Sequence, residues 1–196
     1  MTDASAQPLV RALTDLLAVL QAAGAPHMII GGLAAIARGV VRHTDDADAT
    51  VWSVDLDLPR LLATLSRRGI VGRITDVEAF AAESQVLLLV HEPTGVPMDI
   101  TLAWLPFERA ALSRAEIVSV AGIHIPIATA QDLIIYKTVA WRDRDKRDVE
   151  DLLRLHRGKV DLEYVRETID AFAQAIDEPE RASELEALIA RADSEP

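Results

Sequence analysis

The pattern of apolar and polar positions predicts three helices in the first 68 residues. Residues 8–23 carry leucines at helical spacing, and Gly24 offers a C-cap, which predicts an amphipathic helix. Small apolar residues over 33–38 predict a short helix that ends at Gly39. Pro59 suits the first turn of a further helix over residues 58–68. Helices therefore alternate with the strands described next.

Short apolar or alternating runs predict six strands, most of them in pairs. The predicted strands cover residues 27–30, 49–53, 85–90, 96–103, 116–120 and 123–127. The segment HEPTG separates one pair and Ala121-Gly122 the next, and both segments suit a chain reversal. Thr129 is a plausible N-cap, after which the pattern is helical. The predicted C-terminal helices cover residues 133–141, 149–156, 162–175 and 182–192.

Strands are confined to the first two thirds of the chain, which predicts an α+β, or mixed α/β, fold. We expect a core domain at residues 1–128 and a helical C-terminal subdomain at residues 129–196, packed on the core. With 196 residues and 50% hydrophobic composition, the chain is long enough to bury a core. It has no cysteine, so disulfides and thiolate metal sites are excluded.

Targeting signals and charge narrow the classes of function. The N-terminal segment MTDASAQP lacks the pattern of a signal peptide, and no apolar run is long enough for a membrane span, so a cytoplasmic protein without membrane contact is expected. The formal net charge of −11 argues against a passive nucleic-acid binder, because the phosphate backbone would be repelled. Contact with RNA or nucleotides would need a local basic patch or a divalent cation.

Three aspartates within four positions form the first candidate site. Alternation in a strand places Asp46 and Asp48 on one side, roughly 7 Å apart, and Asp45 on the other. Carboxylate oxygens are the ligands that Mg²⁺ prefers, and substrate phosphates complete its coordination. The alternative is a solvated acidic turn, which is the commoner meaning of an isolated Asp-x-Asp pattern.

Asp99 is the best candidate for a third carboxylate of this site. It lies between Met98 and Ile100 in an apolar strand, where an uncompensated charge is costly. Three carboxylates would be able to hold two metal ions about 3.5–4 Å apart, as in-line phosphoryl transfer uses. A second Asp-x-Asp, Asp55 and Asp57, directly precedes a helix and is better explained as helix-start acid.

Gly31 and Gly32 follow the first predicted strand and precede a short helix. A tight turn needs such glycines for packing alone. Alternatively, their backbone N–H groups would be accessible to a phosphate.

The order of these features resembles the nucleotidyltransferase superfamily that includes DNA polymerase β. That pattern has a Gly-Gly or Gly-Ser pair, about ten intervening residues and an acidic pair separated by one residue. Thirteen residues separate Gly32 from Asp46, whereas twenty-two separate Gly32 from Asp55, so the spacing selects Asp46 and Asp48. The resemblance implies a small mixed β-sheet flanked by helices.

Two separate segments, in this order along the chain, resemble one branch of the superfamily. This branch is the AbiEii/AbiGii-type nucleotidyltransferases, which include toxins of toxin–antitoxin systems. The two segments are "IIGGLAAIARGVVRHTDDADATV" and "TAQDLIIYKTVAWRDRDKRDVEDLLRL". The resemblance implies transfer of a nucleoside monophosphate from an NTP, with Mg²⁺ or Mn²⁺ as cofactor. It implies that Asp46, Asp48 and Asp99 are catalytic and bind the metal, and that Gly31 and Gly32 contact phosphates.

The second segment supplies candidate positive charges. The resemblance implies that Lys137 contacts the triphosphate and that Asp148 positions Lys137 or a substrate group. The two residues would share a face if residues 133–155 formed one helix, and a break near residues 142–144 would weaken that inference. Arg42 is assigned a phosphate-side or structural role. The run RDRDKRD is either a salt-bridged helix face or a basic patch for an RNA acceptor.

The acceptor is not determined by these patterns. The toxin resemblance implies tRNA and a cognate antitoxin or toxin protein, whereas the acidity suits a small-molecule acceptor, as in aminoglycoside nucleotidyltransferases, or a protein hydroxyl. A non-catalytic antitoxin or regulatory partner with the same fold, and a metal-dependent phosphate hydrolase, are the alternatives from other classes.

Overall fold

The computed structural model describes residues 7–194, and its elements follow the predicted alternation of helices and strands. The helices are α1 (Gln7–Ala22), α2 (Gly31–Ala37), α3 (Leu58–Ser66), α4 (Val77–Ser84), α5 (Pro106–Arg114), α6 (Ala130–Ala140), α7 (Asp143–Leu155), α8 (Leu162–Ala175) and α9 (Glu180–Ser194). The strands are β1 (His27–Ile29), β2 (Ala47–Trp52), β3 (Ile70–Gly72), β4 (Val86–His91), β5 (Val96–Ala103), β6 (Glu116–Val120) and β7 (Ile123–Ile127).

All seven strands form one mixed sheet in the order β3-β4-β5-β2-β1-β7-β6. The pairs β1–β7 and β2–β5 are parallel, and the other neighbouring strands are antiparallel. The sheet belongs to a first compact unit, which within the described residues comprises 7–33 and 43–128. The mixed sheet with flanking helices confirms the predicted mixed α/β class.

Side-chain alternation explains how this unit buries its core. Along β5, Met98, Ile100 and Leu102 are buried while the intervening residues are partly exposed, as expected for a strand with one covered face. Helix α1 contacts α3, β2, β5 and β7, and its buried residues include Leu13 and Leu16. The period-2 strands and the period-3.6 helix thus bury their apolar positions in one core.

Within the described residues, the second compact unit comprises 34–42 and 129–194. Its helices pack as α6 on α7, α8 and α9, with further contacts of α9 with α7 and α8. Thr129 confirms the predicted N-cap, because its side chain accepts a hydrogen bond from the backbone N–H of Asp132. No helix between residues 7 and 194 combines the length and apolar character needed to cross a bilayer.

Three elements were absent from the sequence prediction. Strand β3 has only three residues, too few for a period to be detected. Helix α4 is short and weakly amphipathic, and begins where Asp76 accepts a hydrogen bond from Ala79 N. At the start of α5, the carboxylate of Glu108 accepts hydrogen bonds from two backbone N–H groups, those of Trp104 and Leu105.

Two boundaries matter for the candidate residues. Strand β2 begins at Ala47, two residues earlier than predicted, so Asp48 lies within the strand and Asp46 immediately precedes it. Residues 133–155 do not form one helix, because Trp141 adopts a left-handed conformation (φ 52°) between α6 and α7. Lys137 and Asp148 therefore do not share the face of a single helix, because the single helix over residues 133–155 that this required does not form.

Candidate active site

Asp48 and Asp99 lie side by side on adjacent parallel strands. Asp48 of β2 is the Cα partner of Asp99 of β5, and paired residues of neighbouring strands project from the same face of a sheet. Both residues are partly exposed, whereas Ala49 and Ile100, which follow them, are buried. The register thus brings together two carboxylates that lie fifty-one positions apart in the chain.

The other two aspartates of the acidic run have separate partners. Thr44 Oγ1 donates a hydrogen bond to Asp46 Oδ1. His43 Nε2 lies 2.7 Å from Asp45 Oδ1, and the Asp45 side chain is 85% exposed. Because β2 begins only at Ala47, strand alternation does not apply to Asp45 and Asp46, and the predicted grouping of Asp46 with Asp48 stays a prediction.

Gly31 packs directly against the Asp48 carboxylate. A Cβ atom at Gly31 would lie 1.8 Å from Asp48 Oδ2, so no larger residue fits unless Asp48 moves. Gly31 also has φ +65°, a conformation that L side chains rarely adopt. The neighbouring Ile30 N donates to Asp48 O at 2.9 Å, which ties the glycine turn to β2. Gly32 is buried.

Arg73, which sequence reasoning missed, pairs with Asp99. Its Nη1 lies 2.9 Å from Asp99 Oδ1, and the two side chains are 34% and 39% exposed. The approach does not have hydrogen-bond geometry, so Asp99 Oδ1 is a buried oxygen without a hydrogen bond from any residue between 7 and 194. No motif points to Arg73, because it follows the three-residue strand β3 and reaches Asp99 only through the sheet register.

The donor set fits a hard divalent cation. Asp48 and Asp99 offer carboxylate oxygens, the ligands that Mg²⁺ and Mn²⁺ accept, and the buried Oδ1 of Asp99 accepts no hydrogen bond from the described residues. Within residues 7–194, however, no three His, Asp or Glu side chains form a group ready to hold a metal ion. The geometry thus supports a carboxylate pair, and a third ligand at Asp46 stays a prediction.

The remaining candidate residues form a buried ion network in the second unit. Asp148 Oδ2 accepts from Arg42 Nη1 at 2.7 Å and from Lys137 Nζ at 2.6 Å. Lys137 Nζ also donates to Asp145 Oδ1 at 3.3 Å, and Arg142 Nε donates to Asp145 Oδ2 at 2.7 Å. Each carboxylate is therefore held between two cations, as buried charges require.

Asp145 shows how this network controls ionisation. Burial by itself opposes the charged form of Asp145, but the hydrogen bond from Arg142 and the charge of Lys137 outweigh it and lower its pKa. Lys137 is only 4% exposed. Its contact with Asp148 spans the break between α6 and α7, so tertiary packing and not a continuous helix face brings the two together.

The run RDRDKRD is largely a salt-bridged helix face. Arg142 pairs with Asp145, and Lys146 lies 3.8 Å from Asp143 and over the ring of Trp141. Arg144 and Arg147 are exposed. The second Asp-x-Asp pattern, Asp55-Leu56-Asp57, has a structural explanation. Asp57 accepts a hydrogen bond from Arg60 N and caps α3.

A comparison with family profiles gives one match over nearly the whole chain. The family described as "Nucleotidyltransferase of unknown function (DUF6036)" matches residues 8–194. No curated protein matches the chain by sequence.

Solved structures of nucleotidyltransferases share the fold. A crystal structure of ANT(2")-Ia in complex with adenylyl-2"-tobramycin aligns with a TM-score of 0.54 at 20% identity, covering 84% of this chain and 96% of that one. The solution structure of the same antibiotic-resistance factor gives 0.52 at 19% identity, covering 95% and 91%. An antigenic nucleotidyltransferase-like protein from Paracoccidioides brasiliensis gives 0.51 at 14% identity, covering 92% of each chain. At these identities the likeness establishes the fold.

Proposed function

Because the chain belongs to the DUF6036 family of nucleotidyltransferases of unknown function, we propose that it transfers a nucleoside monophosphate from an NTP to an acceptor hydroxyl and releases pyrophosphate. The observation that carries the proposal is the register of Asp48 with Asp99, next to a glycine whose missing side chain leaves room for the Asp48 carboxylate. Carboxylates paired in this way serve phosphoryl-group transfer when a divalent cation is bound between them and the phosphates.

Each residue of the first unit has a proposed role. Asp46 and Asp48 would hold Mg²⁺ or Mn²⁺, which would neutralise the triphosphate and stabilise the leaving group. Asp99 helps to hold the metal and accepts the proton of the acceptor hydroxyl. The acceptor oxygen then bonds to the α-phosphorus as the bond to pyrophosphate breaks. Gly31 and Gly32 offer backbone N–H groups to phosphate oxygens.

The second unit supplies the proposed nucleotide-binding residues Arg42, Lys137 and Asp148. Asp148 is nearly buried and bonds both cations, which supports a positioning role for this carboxylate. Arg42 keeps one fifth of its side chain exposed, so it is the better placed of the two cations to contact a phosphate. Lys137 then acts chiefly by fixing Asp148.

A small-molecule hydroxyl compound is the acceptor that the charge favours. The net charge of −11 repels a polyanion such as tRNA, and half of the predicted basic patch is already paired with aspartates. ANT(2")-Ia, which shares the fold, was crystallised with an adenylylated aminoglycoside. The second candidate is an AbiEii/AbiGii-type toxin with a tRNA acceptor and a cognate antitoxin. It is favoured by the two sequence motifs, which occur in the order typical of that branch.

The proposal is tested by incubating the protein with Mg²⁺ and each α-labelled NTP, with small hydroxyl compounds, total RNA and protein as parallel acceptors. We expect labelled small-molecule product and release of pyrophosphate. Label in tRNA would instead support the toxin. NTP cleavage without a labelled acceptor would indicate a hydrolase, and neither transfer nor Mg²⁺-linked NTP binding would indicate an interaction protein.

Replacing Gly31 by alanine is expected to abolish most transfer activity and to destabilise the first unit. The new Cβ would meet Asp48 Oδ2 at 1.8 Å, so the carboxylate must leave its position opposite Asp99. Gly24→Ala is the matched control, since Gly24 has φ +66° and nothing within 4 Å of an added Cβ. The control should lose only about 1–2 kcal/mol of unfolding free energy, from the strained backbone conformation, and should keep its activity. Equal transfer rates and unfolding free energies in the two variants would contradict the prediction.

A further inference from the structure

We propose that Arg73 is a positioning residue for Asp99, which it holds as a counter-cation and releases when a divalent cation binds. The proposal rests on the function proposed above, because it takes Asp99 as a metal ligand. Neither the sequence motifs nor the family resemblance includes Arg73. Its assignment comes from a row of residues across four strands of the sheet.

The row places Arg73 at one end and the two aspartates at the other. Arg73 N donates to Leu88 O at 3.0 Å, which continues the β3–β4 pairing by one residue beyond Gly72 and Leu89. Leu88 is the Cα partner of Asp99, and Asp99 that of Asp48. Arg73 thus starts two strands from Asp99, roughly 10 Å at the usual strand spacing.

The Arg73 side chain crosses this distance over the single intervening strand. Leu88, at the same position of that strand, is only partly buried, so the path lies along the face that carries Asp48 and Asp99. The guanidinium reaches Asp99 Oδ1 at 2.9 Å, where it offsets the repulsion between two neighbouring carboxylates. A divalent cation bound by Asp48 and Asp99 would lie close to the Arg73 guanidinium, because both positive charges would contact the Asp99 carboxylate.

Metal and guanidinium therefore compete for one carboxylate. The free energy of the Arg73–Asp99 ion pair is lost when the metal binds, and the affinity of the chain for the metal is lower by that amount. Partly exposed ion pairs contribute about 0.2–1 kcal/mol, which converts to at most a roughly fivefold change in affinity. Removing the guanidinium should then tighten metal binding by up to about fivefold, although Arg73 itself binds no metal.

The test is a titration of the full chain with Mn²⁺, without nucleotide, followed by the paramagnetism of free Mn²⁺. We expect Arg73→Gln to bind Mn²⁺ more tightly than the original chain, by up to about fivefold, and Arg73→Lys to lie in between. Arg68→Gln is the matched control, because Arg68 forms a 2.9 Å pair with Asp15 in the same unit. It should leave Mn²⁺ affinity unchanged, and Asp99→Asn should weaken it.

Thermal unfolding supplies a second readout that needs no activity. Saturating Mn²⁺ should raise the melting temperature of Arg73→Gln by more than it raises that of the original chain. If Asp99→Asn weakens Mn²⁺ binding but Arg73→Gln leaves it unchanged or weaker, the role of Arg73 is overturned and the proposed function stands. If no variant and not even the original chain binds Mn²⁺, both the role of Arg73 and the proposed metal-dependent transfer are overturned.

Discussion

Replacing Asp48 by asparagine should lower nucleotidyl transfer by a factor on the order of 10³ or more, with the fold retained. The asparagine would keep the size and strand position of Asp48 but lose the charge that holds a divalent cation beside Asp99. Loss of several kcal/mol of charge stabilisation at the transferred phosphoryl group corresponds to this factor. Transfer is measured with α-labelled NTP and the best acceptor, and folding by circular dichroism.

Asp45→Asn is the matched control for this measurement, because it removes one carboxylate from the same short run. Asp45 is on the surface, paired with His43, and we expect its variant to keep transfer within about twofold. Asp46→Asn should behave like Asp48→Asn if Asp46 is a metal ligand as proposed. Near-normal turnover of Asp48→Asn would exclude Asp48 as a catalytic residue, and equal losses at Asp45 and Asp48 would mean that only total charge matters.

Replacing Lys137 by methionine should destabilise the second unit by about 3 kcal/mol. Removing one partner of a buried ion pair leaves an uncompensated charge, which typically costs about 3–5 kcal/mol. The lower end applies because Arg42 still bonds Asp148 and Arg142 still bonds Asp145. Urea unfolding followed by circular dichroism measures the loss, and hydrogen exchange should show it in α6 and α7.

Arg166→Met is the control for an exposed ion pair in the same unit. Arg166 bonds Glu186 through two nitrogens, and both side chains are nearly half exposed, so its loss should cost less than about 1 kcal/mol. Combining Asp148→Asn with Lys137→Met should cost less stability than the sum of the two single losses, because both single variants break the same 2.6 Å contact. If Lys137→Met unfolds like Arg166→Met while NTP affinity falls tenfold or more, the main partner of Lys137 is the nucleotide and not the ion network.

Local signals predicted a large part of the fold. The hairpin at residues 116–127, the N-cap at Thr129, the place of Asp57 at a helix start and the extent of α8 agree with the structure. Each of these depends on residues within three or four positions of one another, so a single sequence contains the information. The elements that were missed, β3, α4 and α5, have nine residues or fewer and are stabilised by caps or by sheet pairing.

The candidate site was predictable only in part. Spacing from the glycine pair selected Asp46 and Asp48 over Asp55 and Asp57, and the structure gives Asp57 another role, as a helix cap. Strand β2 contains Asp48 but not Asp46, so the two aspartates of the motif are not equivalent in structure. A pattern of residue types cannot show this difference, because where a strand begins depends on its pairing with neighbouring strands.

By itself, the sequence determined the types and order of most elements, the glycine turn ahead of the aspartates and the acidic character of the protein. Only the tertiary structure decided which charges meet. Sheet register joins Arg73 and Asp48 to Asp99, and packing within the second unit joins Arg42 and Lys137 to Asp148 across 106 and 11 positions of the chain. The physical reason is that such contacts follow from burying apolar faces in one register and one packing, which no local pattern specifies.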